Sequence, residues 1–466
     1  MSGNKSFYIT TTLPYVNAEP HIGFAYEILV ADVIARSRKG GEVFFNTGTD
    51  EHGQKIYEAA KKAGEDVESY VERYAQEFKK LKDVLTLSDD LNFIRTTNKK
   101  HIKAAQELWL RCKKDIYKKE FEGLYCVGCE RFLAQRDMID GKCSIHQSEP
   151  QLLKETNWFF NLKKYEKDLL TYLSDPSVII PDWRREEAIN FVKEGLEDFS
   201  ISRDKSRLSW GVPVPGDDTQ VMYVWFDALT SYISTLGWPD EEGNFKKFWL
   251  DGHTLQLAGK DQIRFQSVMW QAMLMSAGIK NTDQVFYHGF INSEGQKMSK
   301  SLGNVISPYE LVKKYGTDAT RYLLLRHVHP TEDTDVTWEK LDEWYEAGLV
   351  NGIGNFVARV MKLAESHLDL PVTDIYDEIL IDENLREFNF QEALNLIFAT
   401  IGALDLEIQN KKPWETKDKE VTVNLVRHLT QIANALRPFI PETSDKISVA
   451  IKENKKPENL FPRINS

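Results

Sequence analysis

The chain has 466 residues, 42% of them apolar, and a formal charge of −12, which argues against indiscriminate polyanion binding across its surface. That length exceeds what one hydrophobic core serves, so about two to four domains are expected. No apolar run is long enough to span a bilayer, and Met1-Ser2-Gly3-Asn4-Lys5-Ser6 lacks an apolar signal segment, so a soluble, cytoplasmic protein is expected and a helical membrane protein is excluded.

Residues 7–11 are β-rich, and Ile22, Tyr26, Leu29 and Val33 recur at helical spacing, so the opening reads strand, loop, helix. The helix is entered through His21-Ile22-Gly23, where backbone N–H groups and the helix dipole favour a phosphate. A second strand is predicted over 42–47. It runs into Gly48-Thr49-Asp50-Glu51-His52-Gly53, a polar cluster of the kind that open α/β sheets place at their ligand-binding strand ends. Charged helices are predicted over 54–120. From 121 to about 217 the texture changes to Cys, Gly and short β-like runs, which reads as an insertion. The sheet is expected to resume in the β-rich segments 221–225, 254–258 and 285–290. Just past the last lies Lys297-Met298-Ser299-Lys300-Ser301, two lysines three apart in a Ser-rich loop, a mobile cation pair suited to a triphosphate. After about 345 the pattern is almost wholly helical and resembles a bundle.

All four cysteines fall between positions 112 and 143. The spacing Cys126-x2-Cys129-x13-Cys143-x2-His146 supplies three thiolates and an imidazole, a complete tetrahedral shell for Zn²⁺ with no open position. One structural zinc holding the insertion together is therefore expected. The plainer alternative is a set of buried thiols beside a surface histidine. Cys112 is left over as an ordinary buried thiol.

Further stretches extend the pattern: Leu13-Pro14-Tyr15-Val16-Asn17, Trp210-Gly211-Val212-Pro213-Val214-Pro215, Tyr223-Val224-Trp225-Phe226-Asp227-Ala228 and Gly259-Lys260-Asp261. With the histidine helix and the lysine loop, they make the chain resemble the class I methionyl-tRNA synthetases, in the bacterial-type, single-zinc form, along essentially its whole length. The resemblance implies an α/β fold. It would comprise a Rossmann-type parallel-sheet catalytic domain in two halves, 1–120 and 218–300, with a zinc-bearing insertion at 121–217. A lysine loop and stem-contact region at 301–345 and an all-α helical-bundle, anticodon-binding domain at 346–466 would follow.

It also implies a methionine–tRNA ligase, which activates L-methionine with ATP to methionyl-adenylate and pyrophosphate, then charges the 3′ end of tRNA(Met) for translation initiation and elongation. His21, Lys297 and Lys300 would be catalytic, and would contact ATP together with Gly23, Gly259 and Asp261, with Mg²⁺ on the phosphates. Leu13, Tyr15, Trp225, Ala228, Tyr232 and Phe265 would line the methionine pocket, and Asp50 would hold the ammonium group. An unbranched thioether gains apolar burial and sulfur–aromatic contact from such walls. Asn355, Arg359 and Trp414 would read the CAU anticodon. A cytoplasmic monomer without membrane contact is implied.

Two positions depart from the family pattern. Phe24 stands where the histidine signature normally ends in a second His, and Gln266 where a His usually borders the amino-acid pocket. On residues alone, each pocket aromatic could be plain core packing. A synthetase for leucine, isoleucine or valine would carry a larger editing insertion between His21 and Lys297, and one for cysteine would place its zinc in the amino-acid pocket. Phe24 keeps open a catalytically silent tRNA-binding relative. A small nucleotidyltransferase fails on length.

Overall fold

The computed structural model describes residues 6–38, 41–127, 131–133, 135–145, 147–298, 303–373 and 379–464. The chain forms two compact units, the first from residues 1–19, 40–80 and 89–287, the second from 20–39, 81–88 and 288–466.

The first unit is built on a sheet of six strands: β1 (Phe7–Thr10), β2 (Val43–Thr49), β3 (Asn92–Arg95), β4 (Ile179–Ile180), β5 (His253–Gly259) and β6 (Gln284–His288). Their spatial order is β3-β2-β1-β5-β6-β4, with β1 parallel to β2 and β5, β2 to β3, and β6 to β4. Between β1 and β2 the chain forms helix α1 (Ile22–Ser37), which belongs to the second unit. All four residues of β1 and all but the first of β5 are buried, the signature of strands covered on both faces. The expected α/β class with a parallel sheet is what the chain adopts. Gly48 permits the tight pairing of β2 with β3, because a Cβ there would stand 2.0 Å from the Ile94 carbonyl oxygen.

Three sequence expectations need correction. Residues 92–95 lie inside the stretch read as charged helix yet form β3, between helices Val67–Val84 and Lys99–Arg111. Asn92 and Arg95 make this four-residue strand look like a helix connector. Strand β4, two residues long, is below the length at which alternation is visible. Residues 221–225 do not join the parallel sheet. Asp217–Met222 pairs antiparallel with Ser202–Asp204 and Pro213–Val214, and Val224–Leu229 is helix α2. A short apolar run fits a buried strand or a buried helix equally well.

The stretch rich in Cys and Gly is a long antiparallel ribbon of Ile116–Cys126 against Gln151–Phe160, with Phe199–Ser200 and Arg131–Phe132 on its edges. Behind the parallel sheet's strands, Trp249 packs between Tyr8 and Trp270, with ring centroids 6.0 and 6.2 Å away. Its indole N–H reaches the Lys280 carbonyl at 2.9 Å, so this fully buried ring carries no unmet donor.

The second unit is helical. Beyond α1 it contains α3 (Thr317–His327), α4 (Asn355–His367), α5 (Phe390–Lys411), α6 (Lys419–Leu436) and α7 (Pro441–Glu453). Helix α6 packs against α4, α5 and α7, and α3 packs against α1 and α5. The fully buried Arg321 on α3 ties these elements together. It donates to Asp32 Oδ2 of α1 at 2.8 Å and to the carbonyls of Leu85, Pro438 and Phe439 at 3.0, 2.9 and 2.6 Å. No helix among the described residues is long and apolar enough to cross a membrane.

At the end of α3, His327 stacks on Trp344 with centroids 4.4 Å apart and planes 1° from parallel. Burial, reinforced by the charge of Arg326, lowers its pKa to about 4. An unfolded histidine titrates near 6.5, so the unfolded chain takes up a proton first and stability falls as pH drops from about 6.5 to about 4. Urea titrations across that window are expected to show a loss on the order of 3 kcal/mol that His327→Phe removes.

Candidate active site

Of the sequence segments expected to handle phosphate, the first opens helix α1 of the second unit. His21 caps α1: its Nδ1 accepts the Gly23 backbone N–H at 3.0 Å, and its own backbone is extended at φ −115°. Gly23 is needed for this cap, because a Cβ there would sit 2.8 Å from His21 Cε1 and 2.9 Å from Nδ1. The Ile22 N–H is taken by the Ile306 carbonyl at 3.1 Å. Although the His21 ring reaches the surface, dense surrounding protein and then the positive charge of Lys297 hold its pKa below the usual imidazole value.

Lys297 ends the short strand Gln296–Lys297, paired with Asn292, and its exposed Nζ lies 4.7 Å from the Phe290 ring centre. The structure thus brings His21, Gly23 and Lys297 into one electrostatic neighbourhood. Lys300 lies outside the described residues. Phe24 is buried, 8% exposed, so its ring serves packing.

In the first unit, the expected pocket residues come from two loops and three short helical segments. Tyr15 forms an isolated parallel bridge with Asp50, the residue after β2. Tyr15 meets Trp225 of α2 edge-on at 6.4 Å, and Trp225 stacks on Phe265 at 3.8 Å with planes 10° apart. Ala228 lies one turn beyond Trp225 and is buried. Tyr232 joins through Gln266, whose Nε2 donates to the Tyr232 hydroxyl at 2.7 Å. Leu13 sits half-buried two residues before Tyr15. Gln266 is 1% exposed, and neither its Oε1 nor the Trp225 indole N–H has a hydrogen-bond partner among the described residues. Two buried polar groups beside an aromatic slot suit a ligand with an apolar body and a weakly polar atom. Gly259 closes β5, and exposed Asp261 follows in a short 3₁₀ turn, at the carboxyl end of the same parallel sheet as Asp50.

A polar network around Asp50 was not legible from sequence. Glu51, fully buried, accepts from Thr49 Oγ1 at 2.7 Å and from Arg95 Nε at 2.6 Å, and its carbonyl takes the Trp210 indole N–H at 2.6 Å. Asp227 of α2 accepts from His52 Nδ1 and His101 Nε2, both at 2.7 Å. Burial would raise the Asp227 pKa, but the two imidazoles outweigh it and hold the pKa at about 2. The signal in the sequence was charge within an apolar helix, Trp225-Phe226-Asp227-Ala228, where a buried carboxylate must find partners.

Of the expected zinc ligands, Cys126 ends the long ribbon strand and Cys143 ends a two-residue strand. Both are 1% exposed and share a small buried cluster with Leu133 and Met138. No disulfide links the described cysteines, and no group of three metal-ligating side chains occurs among the described residues. Cys129 and His146 lie outside them. Two thiols gathered from separate strand ends, each three residues from another expected ligand, are a donor set that a four-ligand zinc site could use. Cys112 lies apart, donating weakly to the Met273 carbonyl at 3.5 Å, and burial pushes its thiol up to about 12.

In the helical unit, Asn355 opens α4 on the surface. Arg359, one turn on, is ion-paired with Asp405 of α5. Trp414, on the turn Pro413–Thr416 that packs on α6, is 48% exposed although its neighbour Pro413 is buried.

A family profile described as tRNA synthetases class I (M) matches residues 7–143 and 135–361. The methionine–tRNA ligase of Rhizobium meliloti is 38% identical over 96% of this chain and 92% of its own length. That of Fusobacterium nucleatum is 37% identical over 98% and 76%. Among solved structures, Mycobacterium tuberculosis methionyl-tRNA synthetase in complex with methionyl-adenylate matches with a TM-score of 0.89 at 34% identity, covering 95% of this chain and 93% of that one. Its apo form matches with a TM-score of 0.82 at 30% identity, covering 99% of both. Identity at this level over nearly the whole length, on an α/β sheet unit that gathers the aromatic slot and a helical unit that carries the capped histidine, places the chain in the methionyl class I tRNA synthetases, the family of methionine–tRNA ligases.

Proposed function

We propose that this chain carries out both half-reactions of methionine–tRNA ligation with the residues described above. The aromatic slot of Tyr15, Trp225 and Phe265 beside the buried Asp50 carries the reading. It offers an unbranched thioether apolar walls and its ammonium group a carboxylate. Leu13, Ala228 and Tyr232 complete the walls.

A methionine carboxylate oxygen attacks the α-phosphorus of ATP. The bond from that phosphorus to the bridging oxygen breaks, and pyrophosphate leaves with the electron pair. A ribose hydroxyl of the terminal adenosine of tRNA(Met) then attacks the adenylate carbonyl, and AMP departs. No protein nucleophile is required; positioning and charge stabilisation do the work. His21 and Gly23 at the α1 N-terminus, with Lys297 and Lys300, hold the phosphates, and Gly259 and Asp261 contact the nucleoside. Mg²⁺ enters with ATP.

In the helical region 346–466, Asn355, Arg359 and exposed Trp414 read the anticodon, since unpaired bases stack on aromatics and are hydrogen-bonded at their edges. Around it the chain follows the division 1–120, 121–217, 218–300 and 301–345. A single structural Zn²⁺ on Cys126, Cys129, Cys143 and His146 holds the insertion, as in the bacterial-type single-zinc form. The enzyme works as a cytoplasmic monomer. Chelation is expected to release one zinc per chain and to loosen the ribbon, seen as faster proteolysis within 121–160. Zinc binding in isolated peptides contributes about 10 kcal/mol to folding. A preparation with no stoichiometric metal under non-chelating conditions would exclude the site.

Pyrophosphate exchange measured with each of the twenty amino acids tests the whole reading. Exchange confined to methionine is expected. Exchange with another amino acid would move the assignment to a different synthetase, and none at all from folded protein would leave a silent tRNA-binding relative.

A further inference from the structure

Residues 50–52 are fixed by ties to different parts of the first unit. The Asp50 peptide is bracketed by the 14–16 loop, with its N–H on the Pro14 carbonyl at 3.0 Å and its carbonyl taking the Val16 N–H at 3.3 Å. Glu51 is held by Thr49 and Arg95, and its carbonyl by Trp210. His52 is tied to Asp227, on the same two-turn helix as Trp225 and Ala228. The other oxygen of Asp227 takes His101, whose Nδ1 pairs with Ser234 Oγ at 2.8 Å. The Trp210 ring tilts over His52 at 5.4 Å. Asp227 is 0% exposed, His52 5% and His101 0%.

A carboxylate buried among imidazoles is costly unless both oxygens are met, and an apolar residue would pack such a helix with less penalty. What the carboxylate adds is a fixed distance. It locks the turn bearing Asp50 to the helix bearing the slot's aromatic wall. We propose that Asp227 is a positioning residue for the amino-acid substrate. Through His52 it sets where the Asp50 carboxylate stands against Trp225, and so how firmly an α-ammonium group is held. This rests on the reading of the slot as the methionine site.

The test compares two ligands by calorimetric titration of the full chain: L-methionine and 4-(methylthio)butanoate, which has the same thioether chain and carboxylate but no ammonium. Asp227→Ala is expected to weaken methionine by about tenfold or more, the scale of a charge-assisted hydrogen bond, and to leave the desamino ligand within about twofold. In exchange assays the KM for methionine should rise while that for ATP stays put. Asp227→Asn retains an acceptor and gains a donor, so retautomerised histidines keep the turn tied and the methionine-selective loss is smaller. Equal loss of both ligands would make Asp227 a packing residue, and loss of neither would show the tie to be irrelevant; each overturns the proposal. If the alanine protein does not fold, Asp227→Leu, which fills the space without an acceptor, decides by the same criterion. Failure of the unaltered chain to bind methionine would instead sink the slot assignment.

Discussion

Lys297→Ala should lower methionine-dependent pyrophosphate exchange by about 10²–10³-fold in kcat, the loss seen when one preorganised group facing developing charge is removed. Lys297 lies on the surface at the end of a two-residue strand, and no carboxylate among the described residues pairs with it; Nζ rests against Phe290 instead. Its removal therefore leaves the fold intact, and the whole effect falls on catalysis. The charge is needed as pyrophosphate leaves, more than when ATP first binds, so kcat should fall further than the KM for ATP rises. Lys297→Arg should recover part of the rate, since charge is kept but its geometry changes. A kcat within about threefold of the unaltered enzyme would remove Lys297 from the reacting centre.

The second large effect concerns folding. Arg321→Met is expected to destabilise the helical unit by about 3 kcal/mol or more, because the buried Asp32 loses its fully buried counter-ion and is left with Arg36 and Ser88. Burial alone would raise the pKa of Asp32, but Arg321, Arg36 and Ser88 together hold it below the ordinary carboxylate value. Without Arg321, three carbonyls also lose their donor. Arg321→Lys should not rescue stability, since one ammonium cannot reproduce a fork that meets Asp32, Leu85, Pro438 and Phe439 from one plane. Urea unfolding reads the result directly, and a midpoint unchanged in Arg321→Met would refute the buried-hub account.

What could be read in advance follows from how local each signal is. The strand–loop–helix opening, the strand ends at Asp50 and Gly259 and the helical stretch after about 345 are written in short windows, and the chain adopts them. Strand β3 was missed because Asn92 and Arg95 mask its pattern, and residues 221–225 were misread because an apolar run does not declare its state. The aromatic slot was visible through family resemblance alone: Tyr15, Trp225 and Phe265 are far apart in sequence, and each looks like core by itself. Nothing in sequence joins His52, His101 and Asp227, since charge at distant positions reads as surface until folding brings it indoors.

The His21 cap has a consequence for proton placement. Because Nδ1 accepts the Gly23 N–H, the neutral ring must carry its hydrogen on Nε2. The imidazole thus offers an outward N–H without being charged, and its donor role survives throughout the neutral range. Below its depressed pKa the incoming proton has one site available, Nδ1, the atom that caps the helix. Acid would then cost α1 its side-chain cap at the same moment that it charged the ring.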